Sequence, residues 1–184
     1  CVIGIVAGTA IGRIAFIREL TDPWIELIRP VSPVAIVPLA MLWFGIGETS
    51  KYFVISYATV IVVLLNTAAG VSQTPKTRIR AALSLGATPL QVFTRAILPS
   101  AVPQVLTGMR VAMGFAFMGV VAAELIGAKV GIGFMIMNSQ MLLQTDQLFV
   151  ALVTLSLLGA ATDRVFRYII ERRMRRFVQF LDQS

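Results

Sequence analysis

Long, nearly uncharged apolar runs separated by short polar stretches make up most of this chain. Five runs stand out: Cys1 to Gly12, Val31 to Gly47, Tyr52 to Pro75, Ala101 to Ile126, and Gln147 to Thr162 with its extension Val165 to Ile170. A helix crosses a bilayer with about 20 predominantly apolar residues. Tyr52 to Pro75 is uncharged throughout and long enough to span with some tilt. Ala101 to Ile126 carries only Arg110 and Glu124. Val31 to Gly47 holds Pro33 and Pro38, which a membrane helix tolerates where neighbours re-satisfy the freed carbonyls, so it reads as a kinked span. Its Trp43-Phe44 pair suits an interfacial aromatic belt, and Gly45-Ile46-Gly47-Glu48 makes a turn. In Cys1 to Gly12, Gly4, Gly8 and Gly12 share one helix face, which lets a second helix approach closely, within one bundle or across a dimer. This run is short for a span and begins at Cys1 already inside apolar sequence, which predicts a missing segment upstream.

The polar stretches have their own punctuation. Arg13 to Pro30 mixes Arg13, Arg18 and Arg29 with Glu19, Asp22 and Glu26, and Asp22-Pro23 reads as a cap and first helical position. A short helix over Pro23 to Arg29, lying along the membrane surface, is expected. Arg80 to Pro99 is too polar to span and lies between runs that can. Thr74-Pro75 predicts a helix start. Gly86 predicts its end, because glycine accepts the left-handed conformation. Thr88-Pro89-Leu90-Gln91 predicts a second start with a capping box, and Pro99 predicts its end. Two short helices joined at a tight Gly86-Ala87 elbow outside the membrane follow. Gly127 to Asp146 reads as a loop with a short helix over Gly131 to Gln140, at or just within the opposite membrane face.

Composition agrees with the pattern. Of 184 residues 57% are hydrophobic and 14% charged, and the mean hydropathy is +0.84. Soluble domains have roughly 45–50% apolar and about 25% charged residues. The expected fold is all-α: a polytopic membrane helix bundle with about five visible spans and a cytoplasmic elbow. The net charge of +7 comes from Lys and Arg at span ends, as the positive-inside rule requires, and not from a nucleic-acid face with interleaved aromatics. Lys76, Arg78, Arg80 and Arg95 mark the elbow; Arg164, Arg167 and the run Glu171-Arg172-Arg173-Met174-Arg175-Arg176 mark the C-terminal end. The opposite turns carry only Lys51 and Lys129. Elbow and C-terminus are therefore expected in the cytoplasm and Cys1 outside.

Candidate chemistry is sparse. There is no His, and the single Cys1 makes neither an internal disulfide nor a cysteine cluster; no metal site is expected. The spans hold no nucleophile–base pair, and there is no Gly-rich Lys-Ser/Thr phosphate loop. Polar residues that could line a translocation path are Asn66, Arg110 and Asn138. Asn66 suits either an interhelical hydrogen bond or a solute contact. Arg110 either snorkels to the cytoplasm or attracts an anion in the path. Glu124 is within easy pairing distance of Lys129 in sequence.

The order Ala81-Ala82, three residues, Gly86, then Leu98-Pro99 resembles the EAA loop of permease subunits of binding-protein-dependent ABC importers. Two positions depart: Arg80 stands where the family usually has Glu, and Ala96 where it has Ile or Val. Trp43 to Glu48 and Gly131 to Asn138 are similar to segments of the branch importing nitrate, bicarbonate, taurine, other sulfonates and some small aromatic or pyrimidine-related compounds. The resemblance implies one permease domain over 1–184, with a coupling loop over 75–99 that docks on an ATPase subunit through Arg80, Ala81, Ala82, Gly86, Ala87, Phe93, Leu98 and Pro99. Phe93 either anchors that docking or packs against the permease. The implied partners are two ATPases, which alone bind ATP-Mg, a second permease subunit (a homodimer expected), an extracytoplasmic solute-binding protein and membrane lipid. The implied location is the prokaryotic plasma (inner) membrane, multi-pass. The family usually has six spans with both ends inside, which one missing N-terminal span reconciles with the five seen. The alternative is a secondary carrier or channel with no ATPase partner, which would want buried ionisable groups; Arg110 and Glu124 are the few available.

Overall fold

The computed structural model describes residues 1–181, with side chains except those at 15, 126, 127, 171 and 173–181. Of the basic run, Glu171, Arg173, Met174, Arg175 and Arg176 thus lie outside the described side chains. Among the described residues every regular element is helical. Three helical stretches among the described residues are long and apolar enough to cross a membrane: Glu48–Ser72, Pro89–Leu125 and Thr145–Ile170. The bent pair Phe16–Ile28 with Pro33–Phe44 makes a fourth if taken as one span, and Val2–Arg13 is a shorter apolar helix. All five apolar runs of the sequence are helical, but the first and second form helices of only 12 residues each.

The chain divides into two compact units, Cys1–Val31 with Thr59–Ala112, and Ser32–Ala58 with Met113–Ser184. The first unit holds α1 (Val2–Arg13), α2 (Ala15–Ile28), the C-terminal part of α4 (Glu48–Ser72), α5 (Lys76–Ser84), α6 (Pro89–Val92), a π-helical turn (Phe93–Ile97) and the start of α7 (Leu98–Gly127). Its packing relies on missing side chains. A Cβ at Gly4 would stand 2.9 Å from the Val60 carbonyl oxygen, and one at Gly8 only 2.6 Å from that of Leu64. One at Gly12 would stand 2.7 Å from Val71 Cβ. The every-fourth-residue glycines therefore seat α1 against α4 inside one chain. Gly70, against Gln104, and Gly108, against Asn66, do the same between α4 and α7. Val63, Thr67 and Val71 of α4 are buried beneath these contacts.

α2 differs from expectation. The helix does not begin at Pro23 but runs from Ala15, with Pro23 inside it. Proline there removes one ladder bond, to the carbonyl of Glu19. Glu19 is exposed, so the freed carbonyl need not be buried. A regular apolar spacing from Phe16 onward outweighs that loss.

The second unit holds α3 (Pro33–Phe44), the N-terminal part of α4, the rest of α7, α8 (Ile132–Met141) and α9 (Thr145–Leu181). Ser32 caps α3 by accepting from the Val34 amide at 3.3 Å, with Pro33 in the first turn. Val37, Ala40, Val54 and Ala122 form its core, with Met41 and Phe53 packed against it. Glu124 is not paired with Lys129 as the sequence suggested. Its Oε2 accepts from the Gly133 amide at 2.8 Å, at the first turn of α8. The amide is a fixed donor among unsatisfied helix-end groups, which favour an anion. Gly131 and Gly133 make room for it: a Cβ at either would lie within 2.7 Å of Glu124 side-chain atoms, and Gly131 has φ +135°. A Glu124→Ala change leaves that amide unsatisfied and is expected to cost about 1.5–3 kcal/mol, the range for a hydrogen bond to a charged group. Thermal unfolding of the purified variant against wild type, with Lys129→Ala as a near-neutral reference, checks it.

Candidate functional site

The polar elbow is built from two interlocked helix ends. α5 starts at Lys76 with Pro75 in the cap position, one residue later than Thr74-Pro75 predicted, because Pro75 is itself extended at ψ 126°. Thr74 is buried and its hydroxyl has no partner among the described residues. At the other end of α5, Gly86 has φ +78°. Its amide donates to the Leu83 carbonyl at 2.9 Å, and the Ala87 amide to the Ala82 carbonyl at 3.1 Å. This bond pair is a Schellman closure, which needs a residue in the left-handed region. The alanines flanking the glycine are thus hydrogen-bonded to each other through their backbones.

The next helix is closed as firmly. The Thr88 amide donates to Gln91 Oε1 at 2.9 Å, and the Gln91 amide to Thr88 Oγ1 at 3.4 Å, the capping box expected from sequence. Between the two closures the chain has no slack. Helix end, turn and helix start occupy the few residues from Ser84 to Pro89.

Pro99 does not end the second helix; helix runs on from Pro89 to Leu125. The reason lies in the π-helical turn Phe93–Ile97, after which the Leu98 amide bonds to the Phe93 carbonyl. In an unbroken α-helix Pro99 would press on the Arg95 carbonyl and leave it unpaired. The wider turn relieves that conflict and lets a non-spanning helix pass directly into a spanning one.

Two side-chain contacts tie the elbow to its unit. Arg78 Nη1 donates to Ser100 Oγ at 3.0 Å, and Ser100 Oγ donates to the Ala96 carbonyl at 2.7 Å. The Arg13 guanidinium, at the end of α1, lies 4.5 Å from the centre of the Phe93 ring. Phe93 is accordingly half-buried. Arg80, Ala81 and Gly86 are exposed, Ala82 and Ala87 half-buried, Leu98 exposed and Pro99 half-buried. Large apolar side chains point away from the chain here: Leu85 is 88% exposed and Leu90 65%. Leu83 is half exposed. No Asp or Glu occurs in the sequence between Glu48 and Glu124, so the elbow segment itself is purely basic.

Sequence reasoning passed over Leu83, Leu85 and Leu90, although apolar residues in so basic a stretch were the available signal. It also passed over the Arg13–Phe93 pair, which no local pattern announces. The path candidates fall in both units. Asn66 donates through Nδ2 to the Val62 carbonyl of its own helix at 2.9 Å, not across to another. Its Cβ faces Gly108. Arg110 is exposed in the same unit, and Asn138 is exposed on α8 in the other.

Comparison with known proteins extends this picture. Residues 1–176 match the family described as binding-protein-dependent transport system inner membrane component. The taurine transport system permease protein TauC of Escherichia coli K12 is 42% identical over 171 residues, covering 93% of this chain and 62% of that protein. The bicarbonate transport system permease protein CmpB of Synechocystis is 31% identical over 169 residues, covering 91% of this chain and 60% of that protein. The chain thus spans about three fifths of the length of these relatives. With its apolar helices it is a multi-pass inner-membrane protein. The chain belongs to the binding-protein-dependent transport system inner membrane component family.

Proposed function

We propose that the chain forms the translocation path of an ATP-driven importer of a small solute, as a non-catalytic permease that takes its energy from a separate ATPase. The observation that carries this reading is the elbow: a rigid, doubly capped structure that presents Leu83, Leu85 and Leu90 outward. Apolar side chains held in that way on a basic, non-spanning segment suit a protein cleft better than water. ATP-Mg is bound by the partner, and the elbow, residues 75–99, passes its movement to α7 through the continuous helical stretch from Pro89, π-helical turn included. Gly86 and Ala87 set the turn. Arg80, Ala81, Leu85 and Leu90 meet the ATPase. Phe93, drawn inward under Arg13, ties the elbow to α1.

A small solute bearing an anionic group is the favoured class. The relatives are named for taurine, a sulfonate, and for bicarbonate. Asn66, Arg110 and Asn138 are the polar side chains offered to it. Elbow and C-terminus face the cytoplasm, two permease copies pair, and a binding protein delivers solute from outside.

Uptake into proteoliposomes holding the full-length permease with a cognate ATPase, and supplied with a cognate binding protein, tests this. Uptake is expected only with ATP on the elbow side. Uptake of equal rate without ATPase or ATP, driven by a solute or ion gradient, would establish a secondary carrier instead. An Arg80→Glu change restores the charge usual in the family. Since it reverses charge at an exposed elbow position, it is expected to lower ATPase capture at least several-fold at low salt, with the deficit shrinking at high salt. Capture measured at two ionic strengths checks it.

A further inference from the structure

α2 carries a face that no described residue covers. Phe16, Leu20, Trp24 and Leu27 recur at intervals of four, four and three residues, which places them on one side of the helix. All four are more than half exposed, Trp24 at 65%. The opposite side is occupied. Arg18, Asp22 and Ile25 line a cleft of about 260 Å³ whose far wall includes Leu65, Ser72 and Gln73 at the C-terminal end of α4. Arg18 Nε and Asp22 Oδ2 are 3.5 Å apart there. Glu19 and Glu26, seven residues apart, share a third, acidic edge.

We infer that α2 is an in-plane membrane helix, whose Phe16-Leu20-Trp24-Leu27 stripe sits among phospholipid acyl chains just below the headgroups of one leaflet. Four observations select that occupant. First, depth: the cleft beside α2 runs along the last turns of α4 from Leu64 to Ser72 and on to Gln73, so α2 lies beside the end of a helix long and apolar enough to span. Second, length: its 14 residues make a helix of about 21 Å, short of the ~30 Å hydrocarbon core. Arg18, Glu19, Asp22 and Glu26 also forbid a crossing without compensation. Third, continuity: only Ile14 separates α2 from α1, a shorter apolar helix whose Val2, Ile3 and Val6 are likewise exposed. Fourth, chemistry: tryptophan favours the interface, and Arg13 and Arg29 flank the helix where phosphates lie. A second copy of the chain suits the stripe less well. Four side chains from one short helix fall far below the roughly 20–30 residues a side of a stable interface.

The geometry also accounts for Pro23. The carbonyl it frees belongs to Glu19, on the acidic edge, which in this placement faces water or headgroups and needs no protein partner. In a helix buried on all sides the same proline would leave that carbonyl stranded.

The test uses Trp24 as its own reporter. The full-length protein carrying Trp43→Phe, which leaves Trp24 as the only tryptophan of this chain, is reconstituted in phosphatidylethanolamine vesicles with a minor share of phosphatidylglycerol. Part of the lipid carries bromine on its acyl chains, either close to the carbonyl or close to the methyl end. Quenching by the shallow bromines is expected to be several-fold stronger than by the deep ones, with little quenching by aqueous iodide. Three results would each overturn the inference: quenching by iodide without quenching by bromolipid, equal or stronger quenching by deep bromines, or protection from both, which marks a protein partner. If Trp43→Phe does not fold, a nitroxide on Leu20→Cys in a Cys1→Ser background gives the same decision. Collision with dissolved oxygen should then exceed collision with a water-soluble nickel chelate, and the reverse order would refute the lipid placement.

Discussion

A transporter whose permease carries Gly86→Val is expected to insert and assemble, yet its separate ATPase subunits to hydrolyse ATP with solute import cut about tenfold or more. Gly86 sits at φ +78°, and an added Cβ meets nothing within 4 Å. The substitution therefore does not clash with the chain. It does force a β-branched residue into the left-handed region, at a cost of about 1–3 kcal/mol. That cost falls on two hydrogen bonds, Gly86 to Leu83 and Ala87 to Ala82, that hold the elbow closed. Helices elsewhere keep their contacts, so insertion and thermal stability change little. An elbow reopened by even 1.4 kcal/mol populates its working shape about tenfold less. The ratio of solute imported to ATP hydrolysed is expected to fall by roughly that factor or more. Gly86→Asn separates two causes. Asparagine tolerates the left-handed region, so it keeps the turn while placing a side chain in the open space. Coupling retained in Gly86→Asn assigns the effect to backbone strain; coupling lost assigns it to clearance for the partner.

The second large effect is on stability. Gly8→Val should weaken the fold by about 3 kcal/mol or more, at the upper end of what overpacking costs. Its Cβ would stand 2.6 Å from the Leu64 carbonyl oxygen and 2.7 Å from Thr67 Cβ. One of these is backbone, and Thr67 is fully buried with its hydroxyl bonded to the Val63 carbonyl. Neither side can yield cheaply, so α1 must lift off α4. Gly47→Ala is the matched reference: nothing lies within 4 Å of its added Cβ, and its effect should stay within about 0.5 kcal/mol. Thermal unfolding in detergent of the three proteins measures the difference. A Gly8→Val protein as stable as wild type would mean that α1 is not seated by its glycines.

Much of this was legible in the chain because the relevant signals are local. The capping box at Thr88 and Gln91 needs only its own four residues, and the glycine at a helix end is a property of one dihedral. The glycine stripe of α1 announced a close neighbour, though not which helix it would be. Where expectation failed, a second segment had intervened. Pro23 and Pro99 both read as boundaries, yet both lie in continuing helix. An exposed carbonyl excuses the first, and a π-helical turn five residues long absorbs the second. Glu124 was matched to the nearest cation, whereas the structure supplies a backbone amide nine residues on. Arg13 and Phe93 are eighty residues apart, and nothing near either one names the other. Leu85 and Leu90 were hidden for the opposite reason. In a chain so apolar an exposed leucine leaves no trace until its surroundings are known.

We propose the elbow as the surface on which an ATPase acts. Co-purification of that ATPase with the full-length permease, wild type against Leu85→Asp and Leu90→Asp together, tests it most directly. Both side chains are largely exposed, so the variant keeps its fold and its place in the membrane. Capture by wild type and its loss in the variant is the predicted result. Equal capture by both proteins, with insertion and unfolding temperature unchanged, would contradict the assignment and move the docking surface elsewhere.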